Sequence, residues 1–495
     1  MPVVELLYAL CVFWLSLYGL NTLILTAIYL VHRHDAVPEP PPPEEWPIVT
    51  VQLPIYNELH TVERLLTTVA GLDYPRDRLE IQVLDDSTDN TRDLVALAVE
   101  RIRQQGIDIA HIVRQDRTGF KAGALAAGLR QAKGELIAIF DADFLPGPDF
   151  LRRVVPYLSD PAVGFVQTRW GHVNRDYSAF TQTQALGMDG HFVVEQTARS
   201  RAGLFINFNG TGGMWRRACI EDSGGWTADT LTEDLDLSYR AQLRGWHIAY
   251  LPEVIVPGEL PPQISAFKRQ QARWAQGSIQ TAIKLIGPLL KSGRPWRIKL
   301  EGLVHLTGYL VHPLMLMLIL LAFPMSLSHS WVLLAAPWLM ITAIGPPLMY
   351  AVTQCTTTRD WRHRLRYLPL LVMLGIGVCL SNTGAVLRGL FGVRGDFQRT
   401  PKFDLRRPGE TWAGSIYALR GDWLVWGEVA LVGLVLLVFA MPNVEWTFAP
   451  WVLLYAGSFA YVAGVSLHQA HERRHWMAIA RQVQQSPDGR VPGTL

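Results

Sequence analysis

The chain has 495 residues, 49% of them hydrophobic, with a formal net charge of +2 and a mean hydropathy of +0.15. A near-neutral balance gives no electrostatic basis for binding nucleic acid. The four cysteines, Cys11, Cys219, Cys355 and Cys379, are too scattered for a metal motif or a disulfide framework.

These averages conceal two regimes. Residues 5–31 and most of 301–468 read as membrane segments, whereas 48–280 read as a charged α/β domain. The run 5–31 exceeds the ~20 apolar residues that cross a bilayer core, and it is too long for a secretory leader. Arg33 follows it with His32 and His34. The positive-inside rule then predicts a transmembrane helix within 1–34, an external N-terminus and a cytosolic domain after it. Residues 35–47 (DAVPEPPPPEEWP) predict a stiff extended linker.

From 48 to 262 the elements alternate. Strands are predicted at 48–53, 81–84, 107–113 and 135–140, and helices near 58–71, 91–104 and 121–132. Apolar strands alternating with helices imply an α/β fold with a mostly parallel sheet covered on both faces. A ligand then sits beyond the carboxyl ends of the strands. Asp85 and Asp86 end one predicted strand, and Asp141 and Asp143 end another. Loop aspartates often only cap helices or turns. Two such pairs at strand ends of one sheet instead suit a hard cation, Mg2+ or Mn2+, that shares substrate phosphates. No GxGxxG or GxxxxGK[ST] follows the first strand, which excludes the usual dinucleotide and P-loop designs.

TEDLDL (232–237) opens another helix. There Glu233 and Asp234 could serve the helix dipole behind a Thr232 cap, or supply a base aimed into a cleft. RQQARWAQG (269–277) lies in an amphipathic stretch, 263–300, at the membrane surface. Gln270, Arg273, Trp274 and Gly277 share one helical face. That face is either a cation–π staple at the bilayer or a clamp for something anionic and ring-shaped.

The later membrane candidates are 303–325, 331–353, 367–390, 423–441 and 446–468. The links 354–366 and 391–422 and the tail 469–495 are basic, hence cytosolic, while 326–330 carries no Lys or Arg. Segment 367–390 has cytosolic charge at both ends, so it reads as interfacial or re-entrant, leaving five crossings. His305 and His312 lie seven apart in the second crossing, lining a cavity or bonding between helices.

PIYNE (54–58), VLDDSTD (83–89), GFKAGAL (119–125), AIFDADF (138–144), FNGTGG (208–213), TEDLDL (232–237) and QQARW (270–274) together resemble the membrane-embedded family-2 glycosyltransferases. That superfamily includes cellulose, chitin, hyaluronan and mannan synthases. The wording is most similar to the plant mannan/glucomannan synthase-like group and its bacterial relatives. The resemblance implies a GT-A-type nucleotide-sugar domain inserted in a transmembrane helical bundle. It also implies a UDP- or GDP-sugar donor, Mg2+ or Mn2+, and inversion at the anomeric carbon.

By motif match, Asp85 and Asp86 would hold the nucleoside, and Asp141 and Asp143 the metal and diphosphate. Lys121 and Arg273 would lie at the donor, Asp234 would be the base, and Gln270, Trp274 and Glu233 would meet the acceptor. DFQRTPK (396–402) resembles the gating loop of polymerising members, with Phe397, Thr400 and Lys402 at similar spacing. A generic basic juxtamembrane loop is the alternative. The expected activity is processive synthesis and export of a β-linked mannan, glucomannan or glucan; the alternative is non-processive glycosylation of a membrane lipid from the same donor site. FNGTGG departs from the cellulose-type wording, which puts glucose as donor in doubt.

Overall fold

The structure is a computed structural model that describes residues 2–35, 37–326, 340–393, 395, 398–441 and 449–485. Seven strands form one sheet: β1 Val49–Ile55, β2 Leu79–Asp85, β3 Ile109–Val113, β4 Leu136–Ile139, β5 Val163–His172, β6 Gly213–Arg216 and β7 His247–Gly258. Their order is β3-β2-β1-β4-β6-β5-β7. β6 runs antiparallel to both β4 and β5, and the remaining pairings are parallel. The first four strands match the expected ones to within two residues. β5, β6 and β7 extend the sheet beyond the sequence reading.

Apolar spacing builds the covering layers. In the helix Val62–Ala70, Val62, Leu65, Leu66 and Val69 recur on one face and are all buried. With Val95 and Val99 of the next helix, Thr91–Arg103, they close one side of the sheet. Leu125, Leu129, Trp215 and Leu237 pack on the other side. Both aspartate pairs therefore emerge at one rim, beyond the carboxyl ends of β2 and β4.

Among the described residues, three helices are long and apolar enough to cross a membrane: Pro2–His32, Gly308–Met325 and Ala449–Ile479. A fourth span exists if Trp361–Gly377 and Cys379–Leu390, bent by 43° at their break, count as one. Leu424–Phe439 has 16 residues, short of the ~20 that span unaided. The expected crossings 331–353 and 446–468 begin outside the described residues.

The crossing 303–325 needs correction. The helix Trp296–Leu306 ends at Thr307, a 3-10 turn covers Gly308–Leu310, and a new helix runs Val311–Ser326. His305 and His312 thus sit on different helices, yet both line the same cavity. The helix Ile264–Lys291 carries the Gln270, Arg273 and Trp274 face beneath the acidic rim.

Candidate active site

A cavity of about 1270 Å3 opens at the rim. Asp86, Lys121, Asp141, Asp143, Glu233, Asp234, Gln270, Arg273, Trp274, Thr400 and Lys402 all line it, so eleven residues singled out from sequence converge on one space. Phe397 lies outside the described residues. Asp85 takes a different position. It is fully buried, accepting from the Ser87 amide at 2.8 Å and from His111 Nε2 at 2.9 Å. Burial alone would raise its pKa, but these bonds outweigh it and hold the carboxyl below its usual value. Its neighbour Asp86 receives a bidentate Arg114 fork, with Nε at 2.7 Å, and faces the cavity.

Beyond β4, Lys121 Nζ donates to Asp141 Oδ1 at 2.5 Å and to the Gly210 carbonyl at 2.9 Å. Burial works against the Lys121 ammonium, but Asp141 and Glu233 outweigh it and raise its pKa. Asp143 Oδ2 accepts from Lys402 Nζ at 2.7 Å and from the Glu259 amide at 2.9 Å. Asp141 is the more open of the pair, its side chain 34% exposed against 6% for Asp143. Among the described residues no group of three or more His, Cys, Asp or Glu forms a metal cage. Two hard carboxylates held by lysines nevertheless fit a divalent ion that draws its remaining ligands from a bound diphosphate and water.

Asp234 lies at the start of the helix Glu233–Leu243. Burial, then the adjacent Glu233, pushes its carboxyl up to about 7, while Lys121 opposes the rise. The Thr232 cap is not formed, although the acids do occupy the first turn of the helix. Thr232 makes no side-chain cap bond, and its hydroxyl instead meets Thr281 at 3.3 Å. The loop before β6 backs Asp234 closely. Gly210 has φ +80°, and a Cβ there would stand 2.8 Å from Asp234 Oδ2. Thr211 of the same loop accepts from the Asp141 amide at 2.9 Å. One loop therefore touches both acidic groups.

The segment 398–422 straps the rim. Arg399 pairs with Glu58 at 3.1 Å, and Glu259 accepts from the amides of Phe403 and Asp404 at 2.8 and 2.9 Å. Arg64 pairs with Asp404, and Tyr417 bonds Asp89. Arg273 Nη1 donates to the Gln398 carbonyl at 3.0 Å, tying the strap to the helix Ile264–Lys291. Sequence reasoning missed Glu58, Glu259 and Tyr417. Glu58 was quoted within PIYNE but given no role; Glu259 and Tyr417 carry no local motif.

The cavity continues past Asp234 between helices, where His191, Glu195, Arg199, Asn209 and His305 line it, and on to Tyr18, Met315 and Tyr455. His305 was expected to line a cavity or bond between helices; His191, Glu195 and Arg199 were missed. Their signal is HFVVEQTAR (191–199), which puts His, Glu and Arg at successive i, i+4 positions in an apolar helix.

The family model described as glycosyltransferase like family 2 matches residues 47–277. Glucomannan 4-beta-mannosyltransferase 1 of Oryza sativa subsp. japonica is 40% identical over 53% of this chain and 52% of its own length. Glucomannan 4-beta-mannosyltransferase 2 of Arabidopsis thaliana is 43% identical over 50% of this chain and 47% of its own. The chain thus spans about half the length of these relatives. In fold it resembles a solved mannosyltransferase, PcManGT from Pyrobaculum calidifontis in complex with GDP-Man and Mn2+. That likeness has a TM-score of 0.54 and 23% identity, and covers 78% of this chain and all of that one. Residues 47–277, which build a GT-A-like mixed sheet, are thus similar to the family-2 glycosyltransferases.

Proposed function

We propose that the protein is an inverting, metal-dependent hexosyltransferase that extends a β-linked glycan and passes it into its own membrane helices. The single observation that carries this reading is the continuity of the cavity. The acidic rim and Tyr455 on the helix Ala449–Gln485 line one and the same cavity. A site for one small acceptor needs no such extension.

In this reading Asp86 holds the nucleoside, and Lys121 and Arg273 face the diphosphate, whose growing charge they stabilise as it leaves. Asp141 and Asp143 hold Mg2+ or Mn2+, which when bound neutralises the diphosphate. Asp234 takes the proton from the acceptor hydroxyl, which attacks the anomeric carbon opposite the leaving group and so inverts it. The Trp274 ring offers an apolar face to the C–H side of the acceptor sugar, with Gln270 and Glu233 at its edge. Thr400 and Lys402 belong to a gate over the donor, and the catalytic domain faces the cytosol. The names of the relatives favour a mannosyl donor, so GDP-mannose is the first to test and UDP-glucose the second.

The test is a product assay on full-length protein in nanodiscs, with labelled donor and Mg2+ or Mn2+, comparing wild type with Asp234→Asn. Size-excluded label that is lost in the variant supports the reading. Label confined to an organic-solvent extract replaces it with transfer to a lipid.

A further inference from the structure

Within the helical stretch Ala179–Arg201, the turn Gly190–Gln196 adopts the wider π winding. Such turns are rare and frequently found at functional sites. Gly190 permits close approach here, since a Cβ would stand 2.5 Å from the Tyr350 ring. The winding places His191 and Glu195 on the cavity wall, next to Asn209.

The hydrogen bonds fix the chemistry of this wall. Gln196 Nε2 donates to Asn209 Oδ1 at 2.8 Å, so the Asn209 amide nitrogen is the group that donates to His191 Nε2 at 3.1 Å. His191 Nδ1 donates to Glu195 Oε2 at 2.9 Å. Arg199 Nε donates to Glu195 Oε1 at 3.1 Å and its Nη1 pairs with Glu301. The Arg199 cation is thus already held between two glutamates. A wall whose guanidinium is so paired suits a neutral, hydroxyl-rich ligand better than a nucleoside diphosphate. Tyr309 and Tyr350 line the same space and offer ring faces. Asn209 precedes Gly210, which backs Asp234. The wall therefore begins immediately behind the proposed base, on the way into the membrane helices.

We propose that His191, Glu195 and Asn209 form a subsite for the sugar ring behind the acceptor ring, the penultimate unit of the growing glycan. The subsite rests on the chain-extension reading above. It grips the product chain after each transfer, so an acceptor of two rings binds better than one of a single ring.

The experiment measures kcat/KM for methyl β-mannoside and for β-1,4-mannobiose as acceptors, with GDP-mannose and Mn2+, on full-length protein in nanodiscs. Wild type is compared with Glu195→Gln, His191→Ala and the more conservative His191→Gln. The expected result is that the preference for the disaccharide falls at least tenfold in Glu195→Gln and His191→Ala, and is partly restored in His191→Gln. An unchanged preference overturns the subsite, because a purely structural role lowers both acceptors together. The wild-type protein tests the underlying reading separately. Should it extend neither saccharide but label lipid, chain extension fails and the subsite with it.

Discussion

The Lys402 ammonium stands 2.7 Å from Asp143 Oδ2. A divalent cation at the proposed site would meet the like charge of that ammonium. The strap over the rim therefore competes with metal loading in the state seen here. Lys402→Met is expected to raise the affinity of the donor-free protein for Mn2+ by about tenfold, in line with a charge-assisted hydrogen bond worth ~1.5–3 kcal/mol. Titration followed by Mn2+ electron paramagnetic resonance checks this. Equal affinities in the two proteins would falsify the competition.

With Asp234 as the proposed base, the reaction should depend on pH. The base works as the carboxylate, and its carboxyl is pushed up to about 7 by burial and Glu233. Activity should accordingly rise with pH through about 7 and level off above it. Lys121 pulls this pKa down, so Lys121→Met should move the rising limb to higher pH as well as weaken donor binding. Asp234→Asn should cost ~10²–10⁴-fold in kcat, the usual span of general-base catalysis. A pH–rate profile of each variant decides the matter, and a wild-type limb far below pH 6 would assign the base elsewhere.

Gly210 tests how closely the rim is fitted. Its φ of +80° suits glycine, and an added methyl would press on Asp234 at 2.8 Å. Gly210→Ala should fold, with a melting temperature lowered by a few degrees, yet lose most of its kcat because the base moves. Wild-type kcat in that variant would show that Asp234 has room to spare.

The two adjacent aspartates of β2 should separate cleanly. Asp86→Asn is expected to raise the donor KM with little loss of stability. Asp85→Asn is expected to destabilise by ~1–3 kcal/mol, because it leaves the buried His111 and Ser87 donors poorly matched. The Asp85 carboxyl is held below its usual value, so its contribution to stability is present above the ordinary carboxylate range. It is lost as pH falls through the depressed folded pKa. Denaturant melts across acidic pH, alongside donor titrations, test both halves.

The legible parts of this molecule were those that repeat locally. β1 to β4 show as short apolar runs between helical patterns, and the acidic pairs sit where such runs stop. β5 and β7 were hidden for a physical reason. The first carries Gln167, Arg169 and His172, and the second is interrupted by Pro252 and Pro257, so neither shows a clean strand pattern. Asp85 read like Asp86 because a sequence does not say which of two neighbours faces the core. The strap joins residues far apart in the chain, such as Glu58 with Arg399 and Asp89 with Tyr417, and no local period announces such pairs.

The reversed strand β6 has a consequence for how the two halves of the chemistry are geared. Parallel strands bring only the loops that leave them to the rim. β6 brings the loop that enters it, because Gly213 pairs with Ile139 at the end of β4. That pairing is four residues long. A slip of two residues keeps every side chain on its proper face yet carries the Asn209–Thr211 loop ~7 Å along the strand. Asp141 would then part from Thr211, and Asp234 from Gly210, in one movement. In the proposed reading, donor and acceptor are thus geared through one short strand, and whatever loosens it disengages both sides of the transfer together.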